Sequence, residues 1–175
     1  MRELQIINKK NPWPNGWGQK TSIMGVINLT PDSFSDGGEL NSSKKVLDQV
    51  NHFLSNGVDV IDLGAQSTRP GAEEVGFNIE IKRLIPYLKL IKSEFPGVLI
   101  SIDTFNSEVA YEALLNGANW INDVTGGRRD RGILDVVSKF NCPFVITHSR
   151  GNSKNMNELS NYDNLLIEVK ASLES

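Results

Sequence analysis

Short apolar segments alternate with amphipathic segments along most of this chain. The apolar segments are rich in Val and Ile, and each ends at a polar residue or a glycine. Short runs of this kind, bounded by turn-forming residues, are typical of buried β-strands. The pattern predicts five strands, at residues 22–27, 58–63, 98–102, 119–121 and 144–147.

The segments between these strands have the spacing of amphipathic helices. After the first strand, apolar residues recur at positions i, i+4, i+7 and i+8 and so share one helix face, namely Val46, Val50, Phe53 and Leu54. Gly57 is a suitable residue to end this helix, because glycine adopts the left-handed conformation of a C-cap. Further helices are predicted at residues 79–94, 107–116, 132–140 and 162–173.

Strands that alternate with helices predict right-handed crossovers and therefore a parallel sheet. Two α/β architectures fit five such units, an open doubly wound sheet and part of a TIM (β/α)8 barrel. The 175 residues would complete the first but are too few for the second, which needs about 250 residues. Polar loops follow every strand, which favours a barrel, because all barrel strands contribute to its site. We expect a partial barrel domain at residues 22–175, after an N-terminal extension at residues 1–21.

The composition is that of an ordinary globular protein, with 39% hydrophobic and 22% charged residues. A formal net charge of −3 gives no basic surface for nucleic acid or an anionic membrane, and we expect neither as a partner. The single cysteine, Cys142, excludes an internal disulfide and is typical of a reducing compartment. The apolar runs are too short for a signal peptide or a spanning helix, so we expect a cytoplasmic location.

Side chains alternate between the two faces of a strand, so polar residues at strand ends can gather on one side of a sheet. Asn28, Asp62, Asp103 and Asn122 have the phase that faces away from the helices. His148 follows the fifth strand in the phase of Phe144 and Ile146, and we expect it to join them. These side chains would converge at the carboxyl ends of the strands.

Asp103 and Asn122 are predicted at the ends of adjacent strands. A carboxylate beside an amide can accept hydrogen bonds from an amino-pyrimidine edge and also donate to it, which suits a flat heterocycle such as a pterin. A buried Asp–Asn pair that satisfies its own hydrogen bonds is an alternative of equal weight. Asp62 lies deeper in its strand, where a structural role is favoured.

Two polar loops follow the first and second strands. In residues 24–38, Asn28 is an oxygen donor of the kind that Mg²⁺ accepts, although one asparagine is weak evidence for a metal. In residues 64–71, the planar guanidinium of Arg69 suits a phosphate or a carboxylate, and the alternative is that it pins its own loop. His148 could act as a general base, although a lone histidine is more often packed or hydrogen-bonded.

Taken together, these segments resemble the dihydropteroate synthase family. Residues 24–38 are similar to the first signature loop of that family and residues 64–71 to the second. Later family segments follow in the same order at residues 101–104, 109–110, 121–123 and 147–151. The resemblance runs from about Trp17 to the end of the sequence and implies a TIM barrel.

The resemblance also implies a transferase of folate biosynthesis. The family condenses 6-hydroxymethyl-7,8-dihydropterin diphosphate with 4-aminobenzoate, giving 7,8-dihydropteroate and diphosphate. Matched to the family motifs, Asp103 and Asn122 would bind the pterin, and Asn28 would contact the diphosphate and the cofactor Mg²⁺. Ser149 occupies a position that often carries a methionine contacting the pterin, and Gln66 stands where many members have Glu.

The two signature loops would supply the other site residues that the resemblance implies. Thr68, Arg69 and Pro70 would form the 4-aminobenzoate site together with Phe34. Asp36 and Arg69 would have a catalytic role, helping to order the two loops as the diphosphate departs.

Family members continue beyond the matched region with a pterin-binding Asp, a Lys and an Arg-x-His on later strands. We therefore expect these 175 residues to be poorly active or inactive alone, and a homodimer in the full-length family. Two alternatives stay open. One is a pterin-binding methyltransferase that acts on methyltetrahydrofolate, which shares the barrel but is disfavoured by the two signature loops. The other is a non-catalytic fragment that folds only with a partner.

Overall fold

The computed structural model describes residues 12–30, 38–66, 75–151 and 155–174. In these residues it contains the strands β1 (Met24–Asn28), β2 (Val60–Gly64), β3 (Leu99–Asp103), β4 (Trp120–Asp123) and β5 (Phe144–Ile146). The α-helices are α1 (Gly38–Ser55), α2 (Phe77–Glu94), α3 (Ser107–Leu115), α4 (Gly132–Phe140) and α5 (Leu165–Glu174), and a 3₁₀ turn spans Met156–Leu159. The predicted strands are confirmed, with bounds that differ by one or two residues. None of the described helices is long and apolar enough to cross a membrane.

The strands form one parallel sheet in the order β1-β2-β3-β4-β5. Each strand therefore pairs with its predecessor in the chain, and the sheet grows in one direction only. A doubly wound sheet would reverse direction and carry helices on both faces. Here α1, α2, α3 and α4 all contribute to a single core against the same strand face. The strand order thus decides between the two predicted architectures, and the fold is part of a TIM barrel wall.

The hydrophobic core lies between the sheet and these four helices. Strand residues of one parity supply one side of it, all at most 1% exposed: Ile27, Ile61, Leu63, Ile100, Ile102 and Ile121. The helices cover them with further buried residues, among them Val46, Val50, Leu84, Leu88, Ile91, Val109 and Ile133. Burying a side chain of this kind contributes about 1.5–3 kcal/mol, so this layer holds the strand ends in fixed positions.

The opposite face of the sheet carries the polar strand residues. The register pairs Val26 with Asp62, Asp62 with Ser101, and Asp103 with Asn122, and paired residues of parallel strands share one side. Val26, in the edge strand β1, is 51% exposed, whereas Asp62 in β2 is only 3% exposed. The polar face is therefore buried at β2, in the interior of the sheet, and solvent-exposed at its β1 edge.

The described part of the N-terminal extension packs against the amino end of β4. Trp13, Trp17 and Trp120 form an aromatic cluster whose ring centroids lie 4.9 to 5.3 Å apart. Trp120 Nε1 also donates a hydrogen bond to the carbonyl oxygen of Pro12. Because Trp120 has the parity of Asn122, the cluster lies on the polar face, at the end opposite to the polar strand ends.

Candidate functional site

The carboxyl ends of β1, β2 and β3 meet around Gly64. This glycine is the register partner of both Asn28 and Asp103. A Cβ atom at Gly64 would lie 3.5 Å from Asn28 Oδ1 and 3.3 Å from Asp103 Oδ2. The lack of a side chain at Gly64 therefore leaves one common space next to an amide oxygen and a carboxylate oxygen.

Asp103 and Asn122 extend this polar edge across β3 and β4. They are register partners, and both are half-buried. The Nδ2 atom of Asn122 donates a hydrogen bond to Asp62 Oδ2 over 3.0 Å. The buried Asp–Asn pair that the sequence offered as an alternative thus forms with Asp62 and not with Asp103. The expected convergence of Asn28, Asp62, Asp103 and Asn122 is observed, with Asp62 beneath the other three.

The polar edge has a strongly negative environment. Burial, followed by the negative charges of three neighbouring carboxyl groups, raises the pKa of Asp103 to about 7; these neighbours are Asp62, Glu80 and Asp123. Burial likewise raises the pKa of Asp62. A carboxyl group that titrates near neutral pH can both donate and accept hydrogen bonds, and such perturbed groups cluster at functional sites.

Buried polar contacts fix the loop that follows β3. Glu80 of α2 is 1% exposed, and its Oε2 accepts a hydrogen bond from Asn106 Nδ2 over 2.7 Å. The next residue, Ser107, donates its backbone N–H to Asp130 Oδ2, also over 2.7 Å. These contacts set the direction in which the chain leaves Asp103. The sequence did not predict them, because Glu80 and Asn106 are distant in the chain and share no local pattern.

Asp123 organises the loop that follows β4. Its fully buried carboxylate accepts hydrogen bonds from Thr125 N over 2.7 Å, Thr125 Oγ1 over 2.8 Å and Gly127 N over 2.7 Å. Gly126 and Gly127 have φ angles of 61° and 75°, a left-handed conformation that glycine adopts without strain. The turn carries Arg128 toward the loop after β5.

Ser149 lies in the loop after β5 and is held by Arg128. Arg128 Nη2 donates to Ser149 Oγ over 2.8 Å and to the Ser149 carbonyl oxygen over 3.1 Å. Ser149 is exposed. Its hydroxyl group is engaged with the guanidinium in this structure.

His148 was expected on the polar face because it shares the phase of Phe144 and Ile146, but these two residues do not lie on that face. The register pairs Phe144 with Ile121 and Val145 with Asn122. Phe144 and Ile146 therefore lie on the helix side, and Val145 is the β5 residue on the polar face. His148 Nε2 instead shares a hydrogen bond of 2.9 Å with Tyr162 Oη. The phase of so short a strand is set by its pairing with β4, which alternation within the strand does not reveal.

Several predicted site residues lie outside the described part of the chain. They are Phe34 and Asp36 in the first loop and Thr68, Arg69 and Pro70 in the second. Gln66, the last described residue before the second loop, is 7% exposed, and its Oε1 has no hydrogen-bond partner among the described residues.

The two side-chain oxygens beside Gly64, Asn28 Oδ1 and Asp103 Oδ2, are of the kind that Mg²⁺ binds. This cation takes oxygen ligands, keeps several waters, and usually binds one or two protein groups together with substrate phosphates. Asn28 is solvent-exposed and presents its Oδ1 to the common space, which suits a single protein ligand to a substrate-bound cation. Among the described residues, no group of three or more His, Cys, Asp and Glu side chains is placed to hold a metal ion.

Parallel strands in sequential order, with polar side chains gathered at their carboxyl ends, define an α/β barrel protein whose ligand site lies at that edge. The family model described as "Pterin binding enzyme" matches residues 24–175. The chain belongs to this family, which confirms the family and the fold predicted from the motifs.

The similar proteins include several dihydropteroate synthases. The dihydropteroate synthase of Synechocystis sp. is 42% identical over 154 residues, which cover 88% of this chain and 53% of the relative. The structure of Clostridium difficile dihydropteroate synthase in the presence of pteroic acid matches with a TM-score of 0.78 and 39% identity, covering 90% of this chain and 59% of that chain. The structure of the Xanthomonas albilineans synthase with 4-aminobenzoic acid matches with a TM-score of 0.74 and 35% identity, covering 87% of this chain and 53% of that chain. This chain spans 53% of the length of the Synechocystis synthase, 60% of the Bacillus subtilis synthase and 33% of a similar folate synthesis bifunctional protein of Arabidopsis thaliana.

Proposed function

We propose that the chain supplies the pterin- and diphosphate-binding part of a dihydropteroate synthase. The reaction would condense 6-hydroxymethyl-7,8-dihydropterin diphosphate with 4-aminobenzoate to give 7,8-dihydropteroate and diphosphate. The observation that carries this proposal is the arrangement at the carboxyl edge of the sheet, where Asn28 and Asp103 flank Gly64 and Asn122 lies beside Asp103. The solved relatives with pteroic acid and with 4-aminobenzoic acid support the substrate class.

Asp103 and Asn122 are suited to hold the pterin ring. The edges of a pterin carry N–H donors beside ring-nitrogen and carbonyl acceptors. Because the pKa of Asp103 is about 7, this carboxyl group can meet either kind of atom near neutral pH. Asn122 keeps its carbonyl oxygen and one N–H after its bond to Asp62. The ring would lie with its diphosphate arm toward Asn28.

Asn28 is proposed to contact the diphosphate and to be the protein ligand of Mg²⁺. When bound, this cation would spread the negative charge of the departing diphosphate. Gly64 keeps the space beside the Asn28 amide oxygen open, since a side chain at this position would occupy it. Arg69 is proposed to add a guanidinium that binds the same anion.

The two signature loops are proposed to complete the site. Phe34, Thr68 and Pro70 would bind 4-aminobenzoate, and Asp36 would pair with the second loop through Arg69 as the diphosphate leaves. Ser149 would contribute a polar rim to the pterin site, in the orientation set by Arg128.

The condensation reaction would need little general acid–base catalysis. The electron-rich pterin can stabilise the cation that forms on its methylene carbon as the carbon–oxygen bond to diphosphate breaks. The arylamine of 4-aminobenzoate is neutral at neutral pH and attacks this carbon without a strong base. The residues of the chain would hold the two reactants in line and stabilise the separating charges, so catalysis would rest on positioning and electrostatics.

We further propose a cytoplasmic location and, as in the full-length family, a homodimer. The single cysteine of the sequence, Cys142, supports a reducing compartment. Fractionation of the producing cells and size-exclusion chromatography with light scattering would test these two proposals.

The catalytic proposal is tested by measuring dihydropteroate formation from pterin diphosphate and 4-aminobenzoate. The chain would be assayed alone and fused to the C-terminal part of the Synechocystis synthase. Activity of either protein that falls at least tenfold with Asn122→Ala supports the proposal. If both proteins are inactive and calorimetry detects no binding of pterin diphosphate, the proposal fails. Methyl transfer from methyltetrahydrofolate to a corrinoid would instead support the methyltransferase alternative.

A further inference from the structure

A buried hydrogen bond joins Asp62 in β2 to Asn122 in β4, past the intervening strand β3. The Asn122 Nδ2 atom lies 3.0 Å from Asp62 Oδ2. Asp62 pairs in register with Val26 and Ser101, whereas Asn122 pairs with Asp103. Asp62 therefore lies deeper in the polar face than Asn122, and the Asn122 amide reaches down to it.

This bond determines which way round the Asn122 amide lies. The carbonyl oxygen and the NH₂ group of an asparagine have nearly the same size, so packing alone selects poorly between the two orientations. An ionised carboxylate only accepts hydrogen bonds, and it therefore takes the NH₂ group. The Oδ1 atom of Asn122 is left on the other side of the planar amide, away from Asp62.

The Asp62 position is a costly one for a carboxylate. The residue is 3% exposed, and burial raises its pKa, so the charged form is disfavoured there. A neutral side chain of the same shape would cost less to bury. A carboxylate, however, accepts hydrogen bonds and does not donate them. It therefore binds only the NH₂ group of Asn122, which gives the amide a single orientation.

We propose that Asp62 is a positioning residue that fixes Asn122 with its carbonyl oxygen toward the ligand and so selects a ring that bears an amino group. The inference rests on the proposed function, which places a pterin against Asn122. Pterin and lumazine are matched probes, because they share a bicyclic ring but carry an amino group and a carbonyl oxygen, respectively, at position 2. A fixed Oδ1 accepts a hydrogen bond from the first and faces an unpaired acceptor in the second.

Asn122 orientation is measured first, in the ligand-free chain. The side-chain NH₂ resonances of Asn122 in ¹⁵N-labelled protein are assigned by their loss in Asn122→Ala. One of its two protons should be shifted downfield and protected from exchange, and both properties should weaken clearly in Asp62→Asn, where the acceptor is neutral. Glu80→Gln is the matched control, since it makes the same carboxylate-to-amide change at another buried position and keeps the Asp62 carboxylate. Identical Asn122 resonances in Asp62→Asn and in the unmodified chain would overturn the proposal.

Ligand preference is measured second, by calorimetric titration with pterin and with lumazine. The unmodified chain should prefer pterin at least tenfold, and Asp62→Asn should reduce this preference at least fivefold because the amide can then turn. In Asn122→Ala, addition of Asp62→Asn should change the preference less than twofold. The proposal would be overturned if Asp62→Asn changed the preference for pterin by the same factor with and without Asn122→Ala. It would also be overturned if a folded Asp62→Asn protein kept the preference unchanged. If the unmodified chain binds neither probe, the resonances of Asn122 alone decide the role of Asp62, and the proposed function is decided separately by titration with pterin diphosphate and by the activity of the fusion.

Discussion

Arg128 and Ser149 come from the loops after two different strands, and the Arg128 guanidinium donates to both oxygens of Ser149. The distances are 2.8 Å to the hydroxyl oxygen and 3.1 Å to the carbonyl oxygen. The two loops are thereby joined at the rim of the candidate site. Since Asp123 fixes the turn that precedes Arg128, the position of Ser149 depends on a chain of contacts that begins in β4.

Replacing Arg128 by Ala should release Ser149 and weaken pterin binding about threefold to tenfold, as expected for loss of one or two hydrogen bonds. Arg128→Lys should restore only part of the affinity, because an ammonium group lacks the second guanidinium nitrogen, Nη1, which donates to Ser172 Oγ over 3.3 Å while Nη2 binds Ser149. Calorimetry with pterin diphosphate measures the effect. Arg131→Ala removes an exposed arginine of the same loop and should bind normally. Equal affinities for Arg128→Ala and the unmodified chain would show that this contact does not matter to the site.

Replacing Gly64 by Ala should damage the site more than the fold. The new methyl group would lie 3.3 Å from Asp103 Oδ2, which must shift by a few tenths of an ångström, and would fill the space beside Asn28 Oδ1 at a contact distance of 3.5 Å. Pterin diphosphate affinity should fall at least tenfold, while the melting temperature changes by only a few degrees. Gly97→Ala is the matched control, because a Cβ there meets nothing within 4 Å. A Gly64→Ala protein with unchanged affinity would argue against ligand binding in the common space.

Asp103 should make the folded chain less stable as the pH rises. Its pKa is raised from 3.8 to about 7 in the folded protein, so the folded state holds a proton that the unfolded state has lost across this range. The stabilisation of the protonated form is fully present below about pH 4 and is lost as the pH rises to about 7. Relative to the unmodified chain, Asp103→Asn should therefore gain about 2 kcal/mol in the free energy of unfolding between pH 5 and pH 8. Urea denaturation at several pH values measures this difference, and a constant difference would refute the raised pKa.

The aromatic cluster should tie the N-terminal extension to the sheet. Trp17→Ala removes a ring that packs against both Trp13 and Trp120, and should cost about 0.5–1.5 kcal/mol of stability. Trp120→Phe keeps a ring but removes the N–H that donates to Pro12, at a cost of about 1 kcal/mol. Denaturation followed by circular dichroism gives both values. If neither substitution changes the midpoint, residues 12–20 do not stabilise the sheet.

The sequence predicted those features that depend on local patterns. Apolar runs located the strands, and their phase predicted that Asn28, Asp103 and Asn122 share one face. The bond from Asn122 to Asp62 could not be predicted, because it depends on how far β2 and β4 are shifted relative to β3. His148 was misplaced for the same reason, since the phase of β5 follows from its pairing with Ile121 and Asn122. Register depends on how neighbouring strands pair, so it cannot be derived from the sequence of one strand alone.

The sequential order of the strands has a consequence for how the chain is made. Each strand needs only the strand before it, as the pairing of Met24 with Val60 and of Ser101 with Trp120 illustrates. A chain leaving the ribosome can therefore add one strand and one helix at a time to a sheet that already exists, without waiting for a distant partner. Each loop that must close is therefore shorter than it would be if a strand paired with a more distant one. The polar edge would be assembled in the same order, with Asn28 placed first and Asn122 near the end.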